Sequence, residues 1–255
     1  MKANWKIALM CVATLAFFAC KDQNTPDQGG QGGQGGGGEQ EYVNPISVTD
    51  NSLADWDALD QNYVFEAVCP EDAAYMGLKK VKVYADEYYI NVQAEYDPQE
   101  IVDRSWTPFH FYFNTDNSDK TGGFGQWTDL NCDVLLEGAV FALADEEDPT
   151  SAGPCAYEPD AFAYGAEPGT DEWAWEALTA GGAFSASQHV GGIIEIQLIR
   201  ELIPTPANAP WNADEFGVGF DIQQSWESVG ILPQVSPTDE NSAGRAHKLQ
   251  VKIKK

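Results

Sequence analysis

From residue 80 onward the chain alternates between apolar and polar positions. Lys80-Val81-Lys82-Val83-Tyr84-Ala85 and Tyr88–Tyr96, separated by Asp86-Glu87, read as a hairpin. Ile90, Val92, Ala94 and Tyr96 fall on one side, and Asn91, Gln93 and Glu95 on the other. A period of two with a polar outer side is the pattern of antiparallel strands covered on one face. Phe109, Phe111 and Phe113 make a second inward row, with His110 and Tyr112 opposite. Cys132, Val134 and Leu136 repeat it, as do Ile194, Ile196 and Leu198, with Glu195 and Gln197 outside. Phe216, Val218, Phe220 and Ile222 follow, and Leu249, Val251 and Ile253 close the chain. Short helices are predicted near Glu71–Met76 and near Glu201. The last strand gathers Arg245, Lys248, Lys252, Lys254 and Lys255, which suits a solvated sheet edge. Many short strands punctuated by Gly, Pro, Asn and Asp predict an all-β fold, an antiparallel β-sandwich or related barrel.

The first residues follow a different rule. Lys2 and Lys6 precede an apolar run, Ile7–Ala19, that is shorter than the roughly 20 residues a spanning helix needs. A basic start, a short apolar core and a small residue before a cut site predict a secretory signal over 1–19. Leu15-Ala16-Phe17-Phe18-Ala19-Cys20 resembles a lipobox, with Phe17 and Phe18 where Leu and a small residue are usual. The resemblance is to surface lipoproteins of the Bacteroidetes, and Lys21-Asp22 is similar to the start of their export signal. It implies that Cys20 becomes the N-terminus and carries lipid (palmitate). It also implies attachment to the outer membrane through that lipid, with the rest exposed at the cell surface. Residues 20–41 then form a linker rich in Gly and Gln, which has nothing to bury. Its 21 residues after Cys20 span about 25 Å as a random coil. One domain over 42–255 is predicted, long enough for a sizeable core.

Charge narrows the partners. The chain has 14 Lys and Arg against 40 Asp and Glu, a net charge of −26. Cleavage before Cys20 removes Lys2 and Lys6 but no acid. Such a body repels nucleic acid and anionic surfaces and favours neutral ligands, cations or basic partners. The same charge also serves plain solubility. Cys69, Cys132 and Cys155 remain after Cys20. An exported chain can form a disulfide, but three thiols cannot all pair. One bridge plus a buried thiol, or three thiols, are both open.

Three segments resemble the family 9 carbohydrate-binding module fold, a β-sandwich close to DOMON domains. They are Asn51-Ser52-Leu53-Ala54-Asp55-Trp56, then the hairpin at 80–96 followed by Phe109–Asn117 and Thr121-Gly122-Gly123, then Ile194–Ile199. Asn51 stands where the family has glycine, Asn114 where it has an acid, and no proline follows the third segment directly. The resemblance implies non-catalytic glycan or oligosaccharide binding with structural calcium (Ca2+).

The residues offer candidates for both. In Asn114-Thr115-Asp116-Asn117-Ser118-Asp119, oxygen donors crowd a glycine-terminated turn, and calcium takes six to eight oxygens. Asn114, Asp116, Ser118 and Asp119 are the expected ligands, with Asp129, Asp133 and Glu137 near enough in sequence to complete a shell. An Asx-rich turn without metal has the same composition. The run Asp145-Glu146-Glu147-Asp148 reads as a solvated loop. Sugars stack flat C–H faces on aromatic rings, tryptophan above all. Trp106, Trp127, Trp173, Trp175 and Trp211 lie among turn-forming residues and are the expected ligand-binding set. Trp173 and Trp175, two apart, share a side if extended. Trp56 and Trp226 read as core. No G-x-S-x-G, H-E-x-x-H or G-x-x-x-x-G-K occurs. Carboxylate pairs are unavoidable with so many acids, so they do not argue for a glycosidase. The reading is a surface lipoprotein that binds carbohydrate without catalysis. A structural or adhesive surface protein with a protein partner is the alternative, and a glycoside hydrolase comes third.

Overall fold

Among the residues described here, alternation becomes twelve strands: β1 (Val64–Val68), β2 (Leu78–Asp86), β3 (Tyr89–Tyr96), β4 (Pro108–Asn114), β5 (Val134–Ala139), β6 (Asp160–Tyr164), β7 (Trp175–Thr179), β8 (Ser185–Val190), β9 (Ile193–Ile199), β10 (Glu215–Gln224), β11 (Glu227–Leu232) and β12 (Leu249–Lys254). They belong to a computed structural model that describes residues 42–129, 131–145, 147–148, 150–179 and 185–255. The predicted signal peptide (1–19), Cys20, the linker to residue 41 and Glu146 lie outside the described residues. Val43–Lys255 form one compact unit.

The fold is all-β, as the alternation predicts. The strand order is β7-β6-β5-β4-β10-β12-β2-β3-β9-β8, with β1 added on β2 and β11 on β10. The pairings are antiparallel except β12 with β2, which run parallel through Ile253–Ala85 and Lys254–Asp86. That contact also overturns the expected basic edge. β12 lies between β10 and β2, and Val251 and Ile253 point inward while Gln250 and Lys252 face solvent. A strand's place in a sheet leaves no trace in its own alternation.

Both halves of the sheet contribute to one core. Val81, Val83, Val92 and Ile196 from one half join Phe109, Phe111, Phe113 and Phe220 from the other. Cys132 departs from its expected row. Asn131 takes a left-handed turn (φ 65°), the strand begins at Val134, and Cys132 joins a cluster on the outer side with Tyr112 and Trp127. The expected helix over 71–76 is a turn, while Glu201 sits in a single 3-10 turn, Arg200–Leu202. Cys69, Cys132 and Cys155 are free thiols, and burial pushes Cys132 up to about 12.

The outer faces hold the larger surprise. Asn91, Gln93 and Glu195, expected in water, are buried. The chain from Ile46 to Leu59 lies across β3 and β9, clustering Ile46, Val48, Trp56 and Leu59 on Tyr84. Trp56, core as expected, is in a 3-10 turn (Ala54–Ala58). Its indole N–H donates to Glu195 at 2.5 Å, and Gln188 donates to the other oxygen of that carboxylate. Burial raises the Glu195 pKa, and the two donors offset that rise only in part. The polar row on this face is therefore a set of anchors. Trp56→Phe keeps an aromatic ring in the site but removes the indole N–H and orphans a buried oxygen. It should cost about 1–3 kcal/mol, read as a lower midpoint in urea unfolding.

Candidate functional site

Register builds the site on the other outer face. His110 of β4 stands directly opposite Asp221 of β10 on one side and Glu137 of β5 on the other. Glu137 in turn faces Asp160 of β6. Four neighbouring strands thus line up Asp221, His110, Glu137 and Asp160 across the sheet. Directly opposite residues in a sheet are the pairs that interact. His110 Nε2 lies 2.8 Å from Glu137 Oε2, and Nδ1 lies 3.7 Å from Asp221 Oδ2. The second distance is an ion-pair contact rather than a hydrogen bond.

His110 and Asp221 are wholly buried, whereas the Glu137 side chain is 18% exposed. Gln223 and Ser228 donate to Asp221 Oδ2 at 2.8 and 2.9 Å. Its other oxygen is buried without a partner. Burial works against an imidazolium here, but the two carboxylates outweigh it and raise the His110 pKa. Tyr112, its neighbour on β4, is raised well above the usual phenol range by burial.

Aromatic walls rise from this floor. Trp106 and Trp226 pack with ring centroids 5.6 Å apart, and Trp173 and Trp175 pack at 6.4 Å. Trp173 also lies 6.5 Å from the His110 ring. One hollow, about 190 Å³, is lined by Glu137, Phe162, Trp173, Trp175 and Trp226. A second, about 410 Å³, is lined by Trp106, Glu137, Glu158 and Asp160 among others. Glu137 borders both, so the two hollows are neighbours on this face, and together they are called the groove below. The indole N–H groups of Trp106 and Trp175 are buried with no protein acceptor.

Local structure explains why the walls hold still. Trp226 occupies a two-residue hairpin turn, Ser225-Trp226, between β10 and β11, with φ of 50° and 71°. This is the backbone of a type I′ turn, in which Asn-Gly is favoured. A bulky side chain in the left-handed region costs about 1–2 kcal/mol, and such strain gathers at functional sites. Ser225 N donates to Trp106 O at 2.9 Å, and Ser225 Oγ to Asp103 at 2.6 Å, which ties the hairpin tip to the Trp106 segment. The loop carrying Trp173 is pinned at Gly165 N to Ala174 O (2.7 Å) and by Phe124 N to Thr170 O (2.8 Å).

Of the expected tryptophans, Trp173 and Trp175 meet directly, and Trp106 joins them by way of Trp226. Trp127 and Trp211 are corrections. Trp127 is fully buried, donates to Pro233 O at 3.2 Å and covers Gly219, where a Cβ would fall 2.1 Å from its ring. Trp211 is half-buried against Phe113 and Phe216. Trp226, read as core, is instead 62% exposed. Its signal was the Ser-Trp pair between two apolar stretches, which reads as a turn only once β11 is recognised. His110, Glu137 and Asp221 sat on outward positions of three rows, and only the pairing register brings them together.

The 114–123 loop is a closed turn. Asn114 Oδ1 and Asp116 Oδ1 both accept from Ser118 N, at 3.2 and 2.9 Å. Thr121 Oγ1 donates to Asp116, and Ser118 Oγ accepts from Lys120 N. Asp119 is exposed. Of the acids expected to complete a shell, Glu137 is engaged by His110, and Asp129 lies 3.2 Å from Lys248. Among the described residues no group of three or more His, Cys, Asp or Glu could hold a metal. What fits a cation is narrower. Asp133 is buried with an unpartnered Oδ1, and its pKa is raised to about 6 by burial and then by the charge of Asp116.

No protein-family model matches the chain, and no curated protein matches it either. Among the described residues no helix is long and apolar enough to cross a membrane.

Proposed function

We propose that this chain is a surface lipoprotein that captures extracellular carbohydrate without transforming it, using the groove of Trp106, Trp173, Trp175 and Trp226. The observation that carries the reading is the exposure of Trp226 and Trp173, 62% and 57%, beside a partly exposed carboxylate, Glu137. Exposed indole faces offer stacking surfaces for sugar C–H faces, and the carboxylate offers hydrogen bonds that fix orientation. An open groove suits a polymer segment passing through. Two carboxylates facing each other across a cleft would favour hydrolysis. Here Asp221 is buried behind His110, and Glu137 and Asp160 stand side by side on neighbouring strands of one sheet face rather than opposite each other across the groove. A broad apolar patch would favour a protein partner, whereas these aromatics alternate with acids. Attachment to the outer membrane through lipid on Cys20 belongs to the same proposal.

The test is binding of the full chain to a panel of polysaccharides and their oligomers by calorimetry. Trp173→Ala and Trp226→Ala should each abolish or strongly weaken binding while unfolding within about 0.5 kcal/mol of the parent, since both rings are exposed. Binding unchanged in both variants would sink this site, and no binding to any glycan by the folded chain would sink the function.

Structural calcium is also proposed, with Asp116 and Asp133 as its carboxylate ligands. Calcium at about one hundred times its Kd should stabilise the fold by about 2.7 kcal/mol, read as a rise in Tm reversed by EDTA. Asp133→Asn should remove the response. A Tm indifferent to calcium in the parent protein would dismiss the ion.

A further inference from the structure

The groove has a charge pattern that says more about its ligand than the stacking surfaces do. Every charged residue lining its two hollows is an acid: Glu137, Glu158 and Asp160. Neither hollow is lined by lysine or arginine. Beneath the floor lies Asp221, wholly buried, with one oxygen unpartnered. Within the cross-strand row Asp221, His110, Glu137 and Asp160, the imidazole supplies at most one positive charge against three carboxylates. The row is negative in either state of His110.

Indole faces add to this. The π-face of tryptophan attracts a cation within about 6 Å, and the attraction strengthens as the cation loses water. Trp226 and Trp173 present such faces, and a low-dielectric aromatic wall focuses the field of the acids. A neutral sugar would use the stacking surface and leave the charge unanswered. An anionic sugar would be repelled by every charged group it met.

We infer that the groove selects cationic glycans, that is, polymers of amino sugars carrying free ammonium groups. This rests on the carbohydrate-binding reading and narrows it. The ammonium sits against a carboxylate, with Glu158, in the hollow lined by Trp106, the most accessible partner, while the sugar rings that follow stack on the tryptophans of the neighbouring hollow.

The test compares three oligosaccharides of equal length on the full chain by calorimetry: fully de-N-acetylated glucosamine oligomers, their N-acetylated counterparts and neutral gluco-oligomers. The deacetylated oligomer should bind on the order of tenfold more tightly than either, and this margin should shrink with added salt. Glu158→Gln, an exposed change that leaves the His110 contacts alone, should reduce the margin severalfold. Trp226→Ala keeps every charge and should still lose the binding. Retention of glucosamine binding in Trp226→Ala would show mere attraction of a polycation to an acidic protein and overturn the assignment. Equal binding of all three oligomers would overturn the charge selection and leave sugar binding standing. Absence of binding to all three would overturn the selection, and the carbohydrate reading would fall only if a wider glycan panel also failed.

Discussion

Trp127→Ala is expected to lower stability by about 3–5 kcal/mol, the usual cost of removing a buried large aromatic side chain. For a domain of this size each kcal/mol moves Tm by about 2–4 °C, so thermal unfolding should fall by at least about 6 °C. The reason lies in what the indole covers. Its ring lies on Gly219 of β10, packs on Tyr112 with centroids 5.3 Å apart, and holds the Pro233 carbonyl through its N–H. Tyr112 packs in turn on Phe124 and Trp175 at 5.0 and 5.8 Å. Removing Trp127 therefore opens a cavity under one wall of the groove and leaves a carbonyl unpartnered. Glycan binding should weaken along with stability. Trp226→Ala separates the two, because it should lose binding at nearly constant Tm. Equal melting of Trp127→Ala and the parent would mean that the outer cluster is not a second core.

The two tryptophans show what the sequence could reveal. Inward rows such as Phe109-Phe111-Phe113 and Ile194-Ile196-Leu198 were legible because burial on one face writes a period of two directly into the chain. The same alternation marks the polar positions opposite them as solvated. That inference assumes that nothing covers the outer face. Here Ile46–Leu59 covers one side and the segments around Phe124–Trp127 and Trp173 cover part of the other, so Asn91, Glu195, His110 and Asp221 are buried. Trp127 and Trp226 both sit among turn residues, and composition alone does not tell a lid from a hairpin tip. β12 escaped placement for a related reason, since its neighbours are chosen by the fold and not by its own residues. Trp173 and Trp175 were legible as a local pair, but their partnership with Trp106 and Trp226 needed the sheet.

The charged row gives the other large expected effect. His110→Leu should cost about 3–5 kcal/mol, the usual result of removing one partner of a buried ion pair. Leucine fills much of the imidazole's space, so the loss reports charge more than volume. Asp221 would keep Gln223 and Ser228 as donors but lose the cation facing it, with Glu137 now a like charge across the gap. Those carboxylates, from β10 and β5, together with Tyr112 on its own strand and the Trp173 ring, are the groups that face His110. The pH dependence has a definite sign. The folded-state pKa is raised above the unfolded value of about 6.5, because the two carboxylates outweigh the opposing effect of burial. Protonation thus favours the native state. The stabilisation is complete below about pH 6.5 and is lost as pH rises through the raised folded pKa. Tm of the parent protein should decline across that window, and in His110→Leu this part of the decline should vanish. An identical pH profile in parent and variant would mean that His110 stays neutral between the carboxylates. The row would then carry a larger negative charge beneath the groove.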